Sequence, residues 1–127
     1  MNAKSIWLLL AGTLLLSACS LLSPPVGGLS LEATVGTEAD VCADTPEINV
    51  FSDAPTTVYY CYTITNTGEV SVPLHDLSDD LFGVILSGFA YDLAPGASVD
   101  TVTAGVELAY EITEETVNTA TWEGFAG

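Results

Sequence analysis

Thr56-Thr-Val-Tyr-Tyr-Cys-Tyr-Thr-Ile-Thr-Asn66, followed by Thr67-Gly68, decides the fold. Eleven residues in a row are β-branched, aromatic or small, with no charge and no helix former of note. Such residues fit a pleated, half-buried surface. Alternation divides them cleanly: Val58, Tyr60, Tyr62 and Ile64 form one apolar face, and Tyr59, Cys61, Thr63 and Thr65 form the other. Asn-Thr-Gly then marks a turn. The stretch predicts a long strand with one face in a core.

Working outward, the same signal recurs at short spacing. Leu29, Leu31, Ala33 and Val35 alternate with polar or small residues. Residues 48–51 form a short apolar run closed by Ser52-Asp53-Ala54-Pro55. Further strands are predicted over 70–77, 82–86, 89–93, 99–106, 108–113 and 116–125, with Pro73 suggesting an edge or a bulge. Ala94-Pro95-Gly96-Ala97 reads as a turn, and residues 111–117 could hold at most one helical turn. Helical periodicity is nowhere sustained. Short strands between Gly/Pro turns predict an all-β protein, an immunoglobulin-like antiparallel β-sandwich of about seven strands.

The N-terminal region follows different rules. Lys4 precedes an apolar run from Ile6 to Leu16, which ends in Leu16-Ser17-Ala18-Cys19. A basic start, an apolar middle and small residues at the end are the layout of a secretory leader. The apolar run falls short of the ~20 residues that a membrane-spanning helix needs. Leu-Ser-Ala-Cys resembles the lipobox of bacterial lipoproteins, which implies cleavage before Cys19 and lipid on its sulfur. The expected organisation is a leader over 1–18, a tether over 19–30 containing Ser23-Pro24-Pro25 and Gly27-Gly28, and a sandwich domain over 31–127. The expected location is the extracytoplasmic cell envelope, with the membrane as partner through Cys19. Ser20 is not the aspartate that resembles an inner-membrane retention signal, which favours the outer surface or outer membrane.

Charge narrows the function. The chain has 17 acidic residues and a single basic one, Lys4, which lies in the leader. Past the leader no lysine or arginine remains, so the carboxylates must be solvated, accept hydrogen bonds from N–H or hydroxyl groups, or bind cations. Nucleic-acid binding loses its phosphate-neutralising groups. Phosphate loops, Schiff-base chemistry and polybasic membrane attachment fail for the same reason. With Cys19 lipidated, Cys42 and Cys61 are left to form one disulfide, as export to an oxidising compartment favours.

Tyr62-Thr63-Ile64-Thr65-Asn66-Thr67-Gly68 resembles the Y-T-V-T-N-T-G signature of conserved-repeat domains in bacterial and archaeal surface proteins. Val41-Cys42 with Tyr60-Cys61-Tyr62, then Leu86-Ser87-Gly88-Phe89, Leu93-Ala94-Pro95-Gly96 and Val117-Asn118-Thr119-Ala120-Thr121-Trp122, extend the resemblance over about residues 40–122. It implies an immunoglobulin-like module with a structural, spacer or adhesive role and no shared catalytic residue. It also implies more strand residues after Trp122, which would leave the last strand short or its edge open to a partner.

His75-Asp-Leu-Ser-Asp-Asp80 is the one dense polar cluster. Asp76, Asp79 and Asp80 are candidate ligands for Ca²⁺, a cation that takes several oxygens. The competing reading is a turn whose aspartates cap local N–H groups. His75 could also be set beside a serine nucleophile, but His75 and Asp76 would face opposite sides of a strand and no G-x-S-x-G elbow is present. Tyr59, Tyr60, Tyr62, Tyr91, Tyr110 and Trp122 could form a carbohydrate platform, although a sandwich of this size needs most of them inside. The expectation is therefore a non-catalytic, lipid-anchored envelope module. It needs no cofactor, Ca²⁺ aside, and its partner at the envelope would be a protein or a glycan. A cation-dependent binding module is the alternative and a small hydrolase the outsider.

Overall fold

The computed structural model describes residues 3–10, 26–51 and 54–126. These form nine strands: β1 (Ala3–Leu10), β2 (Leu29–Gly36), β3 (Glu47–Phe51), β4 (Thr56–Asn66), β5 (Val72–Asp79), β6 (Gly83–Leu93), β7 (Ser98–Asp100), β8 (Ala109–Ile112) and β9 (Thr116–Phe125). One sheet has the order β3-β1-β9-β5-β6. The other has β2-β4-β7, with β8 also on β4. The two pack face to face as the all-β sandwich that the sequence predicts. Among the described pairs only β1–β9 is parallel.

β4 is the centre of its sheet, as its composition requires. Val58, Tyr60, Tyr62 and Ile64 are all buried. From the facing sheet come Leu77 and Val72 of β5, Leu86 and Leu93 of β6, and Ala120 and Trp122 of β9. The fully buried aromatics supply much of this core, since each such side chain removes a large area from water.

Asn66 ends β4 and ties three segments together. Its Nδ2 donates to the carbonyls of Val70 (2.7 Å) and Leu93 (3.0 Å), and its Oδ1 accepts from Gly68 N at 2.9 Å. The next residue, Thr67, donates from both its amide and its hydroxyl to Gly28 O. That contact needs glycine at position 28. Gly28 has φ +81°, and a Cβ on it would come within 2.9 Å of the Gly68 backbone. The last part of the expected tether is thereby docked: Val26 N donates to Gly124 O at 2.7 Å, and β2 begins at Leu29.

Three local expectations change, and Pro73 meets the second of its two, the bulge. Residues 82–86 and 89–93 form one strand, because Gly88 at φ +59° lets the chain bend without leaving the ladder. The strand expected over 99–106 stops at Asp100. Asp100 Oδ1 accepts from Thr103 N and its carbonyl from Ala104 N, which closes a turn instead. Pro73 does not lie on an edge strand, since β5 runs between β6 and β9. It lies where the β5–β6 register shifts between Val72 and Leu74, so its missing N–H breaks no regular ladder. The possible helical turn over 111–117 is strand at both ends, with a bend between. A fifth observation concerns the leader, which the sequence sets apart from the domain: Ala3–Leu10 pairs within the sheet as β1.

Candidate functional site

The His75–Asp80 segment, for which the sequence allows a turn or a cation site, is strand from His75 to Asp79. Alternation carries His75, Leu77 and Asp79 inward and leaves Asp76 and Ser78 outward. The three candidate carboxylates are therefore divided. Asp76 Oδ1 accepts from Gly88 N (2.7 Å), and Asp80 Oδ1 accepts from Thr119 N (2.8 Å). Asp79 turns into the sandwich. The local capping foreseen for these aspartates is present at Asp79, which accepts from the amides two and three residues on, whereas Asp76 and Asp80 accept from amides 12 and 39 residues away; the strand also carries Asp79 to a buried position that a solvated turn would not.

Around Asp79 the structure assembles four donors. Oδ1 accepts from the amides of Leu81 (3.1 Å) and Phe82 (2.6 Å). Oδ2 accepts from Tyr62 Oη (2.6 Å) and Asn118 Nδ2 (3.0 Å). Such a set offsets the cost of taking a carboxylate out of water without any cationic side chain. Burial, and then the bond to Asp79, push the Tyr62 phenol well above its ordinary range; burial and the Asp79 charge do the same to Tyr60. Both phenols are held neutral. Tyr60 Oη and Asn118 Oδ1 are buried without a hydrogen-bond partner.

His75 is equally committed. Trp122 Nε1–H donates to its Nδ1 at 3.2 Å, so Nε2 carries the proton. Nε2 lies 3.0 Å from Val72 O and 2.9 Å from Tyr91 O. Both ring nitrogens are used, and neither is free to take a proton from a nucleophile. Sequence reasoning missed Asn118 and Tyr62 as partners of this cluster. The available signal was the period of two continuing through Leu77 to Asp79 and through Asn118, Ala120 and Trp122.

Cys42 and Cys61 are disulfide-bonded. Cys61 lies on the face of β4 turned away from the core, as the alternation predicts, and is buried there. The bridge fixes the 37–46 loop to the central strand, and Val35 N–Thr45 O (3.0 Å) fixes it to β2. Among the described residues the one grouping with metal-type donors is Cys42, Cys61 and Asp100. Metal binding needs the thiolates, which the disulfide removes. Beside this loop runs an open groove of about 690 Å³, lined by residues that include Val35, Glu38, Val41, Asp44, Ile48 and Val50.

The aromatics do not form one platform. Tyr60, Tyr62 and Trp122 are in the core. Tyr110 packs edge-on against Phe82, and Tyr91 stacks on Phe89 at the other sheet. Tyr59 is half-buried on β4. Cys19, the candidate lipidation site, lies outside the described residues. Comparison with family models, with characterised proteins and with solved structures finds no match for the chain.

Proposed function

We propose that this chain is a lipid-anchored, extracytoplasmic module of the bacterial cell envelope with a structural or adhesive role and no catalysis. The observation that carries it is the order Lys4, apolar run, Leu16-Ser17-Ala18-Cys19. The resemblance of Tyr62–Gly68 to surface-protein repeats supports the same role. So does the use to which reactive groups are put: His75 spends both nitrogens, and the aspartates of the polar cluster cap backbone amides or hold Tyr62 and Asn118. Among the described residues no helix is long and apolar enough to cross a membrane.

The test is Cys19→Ala in a bacterial host, followed by fractionation and intact mass. The protein should leave the membrane fraction or accumulate with its leader uncut. A variant that is cut normally and stays in the membrane would overturn the assignment.

A further inference from the structure

β1 lies in a slot with two walls. On one side Ala3–Trp7 pairs antiparallel with Phe51–Glu47 of β3. On the other Ile6–Leu10 pairs parallel with Thr116–Ala120 of β9. β1 also crosses β2 of the facing sheet. Yet Ala3–Leu10 lies wholly within the segment that cleavage before Cys19 would remove. Three consequences follow from the topology, each resting on the lipoprotein assignment above. β3 loses its one described ladder partner. The edge of β9 over Thr116–Ala120 is unpaired, with Val117 already half-exposed beside it. The inner face of β2 loses the strand that lies over it.

Two edges left one strand apart, with an uncovered apolar face beneath, are a template for another strand. β3 could close the gap only by moving across it, a shift of about 4.8 Å, one strand spacing. Its approaches resist that shift. The loop before it is held by the Cys42–Cys61 bridge and by the Val35 N–Thr45 O bond, and Thr45 Oγ1 donates to Glu47 O at 2.7 Å. Only residues 52–55 separate its far end from β4, in the opposite sheet.

We infer that the mature protein presents the slot between β3 and β9 as an acceptor for an extended, apolar strand of another polypeptide, entering parallel to β9. The leader shows what fits: Ala-Lys-Ser-Ile-Trp-Leu-Leu-Leu, a strand with one charge.

The test uses the processed lipoprotein extracted in detergent, with hydrogen exchange read by mass spectrometry. The probe is a fluorescein-labelled peptide of the Ala3–Leu10 sequence carrying a C-terminal lysine tail. Without it, amides in 47–51 and 116–120, apart from Thr119, which Asp80 Oδ1 holds from the β5 side, should exchange fast while those of β4 stay protected. With it, binding should saturate and exchange at 116–120 should slow by roughly tenfold or more. A peptide carrying Ile6→Pro and Leu8→Pro cannot complete the ladder and should not bind. Residues 116–120 protected without peptide would overturn the inference, as would the absence of saturable binding or equal binding of the proline peptide. Protection that appears only as a dimer forms would replace the partner chain with a second copy and overturn it too. If the extracted protein is unfolded alone, folding driven by the peptide supports the inference, and failure to fold with it overturns it. Intact mass reports leader removal independently, so a retained leader is recognised as failure of the lipoprotein assignment.

Discussion

The two edges of β9 are held in opposite ways. Along the β5 edge, Ala120–Phe125 pairs with Asp79–Leu74, and the contact is locked by side chains, Trp122 with His75 and Asn118 with Asp79. Along the other edge, Thr116–Ala120 pairs through its backbone with Ile6–Leu10, which cleavage before Cys19 would remove. One strand thus combines a permanent seam with a replaceable one. The difference teaches that a buried inward face does not imply a completed edge. Asn118 is fully buried, although it lies in the half of β9 whose edge depends on β1.

The sharpest way to break the permanent seam is Asp79→Ala. It leaves the Tyr62 hydroxyl and the Leu81 and Phe82 amides without an acceptor and takes from Asn118 Nδ2 one of its two acceptors, the other being Tyr62 Oη, at a cost of about 3 kcal/mol or more. Urea unfolding of the processed protein should show a loss of that size. A loss below 1 kcal/mol would mean that water replaces the carboxylate and that the seam is not locked there.

Removing the disulfide should act on the opposite sheet. With a sequence separation of 19 between the cysteines, Cys42→Ser combined with Cys61→Ser should cost about 3 kcal/mol on the chain-entropy account. The double variant sharpens the comparison because it also frees the loop that precedes β3. Stability should fall and the Asp79 cluster should stay intact, read as unchanged exchange at Leu81 and Phe82. Loss of protection at those two amides would show that the two regions are coupled.

Alkaline pH should give the smallest effect per step. Tyr60 and Tyr62 are held neutral in the folded state, so the folded chain keeps protons that the unfolded chain releases above about pH 10. Their contribution is fully present below that pH. It should be lost as pH rises further, by on the order of 1 kcal/mol per pH unit for each tyrosine. Tyr62→Phe should flatten the slope in denaturation curves between pH 9.5 and about 11.5. An unchanged slope would place the titration elsewhere.

Much of the sandwich was legible, and the reason is local. β4 announces itself because propensity, alternation and burial agree at every position. The sequence divides β6 in two because Ser87-Gly88 reads as a break, whereas a glycine at positive φ can stay in a ladder. It extends β7 too far because Val102 and Val106 continue an apolar rhythm that Asp100 interrupts with its turn. In the polar cluster, the aspartates were visible as caps. The inward turn of Asp79 was not, because it depends on Tyr62 and Asn118, which lie 17 and 39 residues away. The pairing of Ala3–Leu10 is equally hidden, since a short apolar run carries no mark of which edge it will find.

The docked end of the tether has a mechanical consequence. A pull on the chain from the N-terminal side of Val26 does not reach β2 directly. It is met first by Val26 N–Gly124 O and by the two bonds from Thr67 to Gly28 O, which join the C-terminal part of β9 and the turn after β4. They are loaded in order, Val26 before Gly28, and both points must yield before the ladder of β2 is strained. Tension applied from that side would thus reach the end of β9 and the turn after β4, one in each sheet, before it reaches β2.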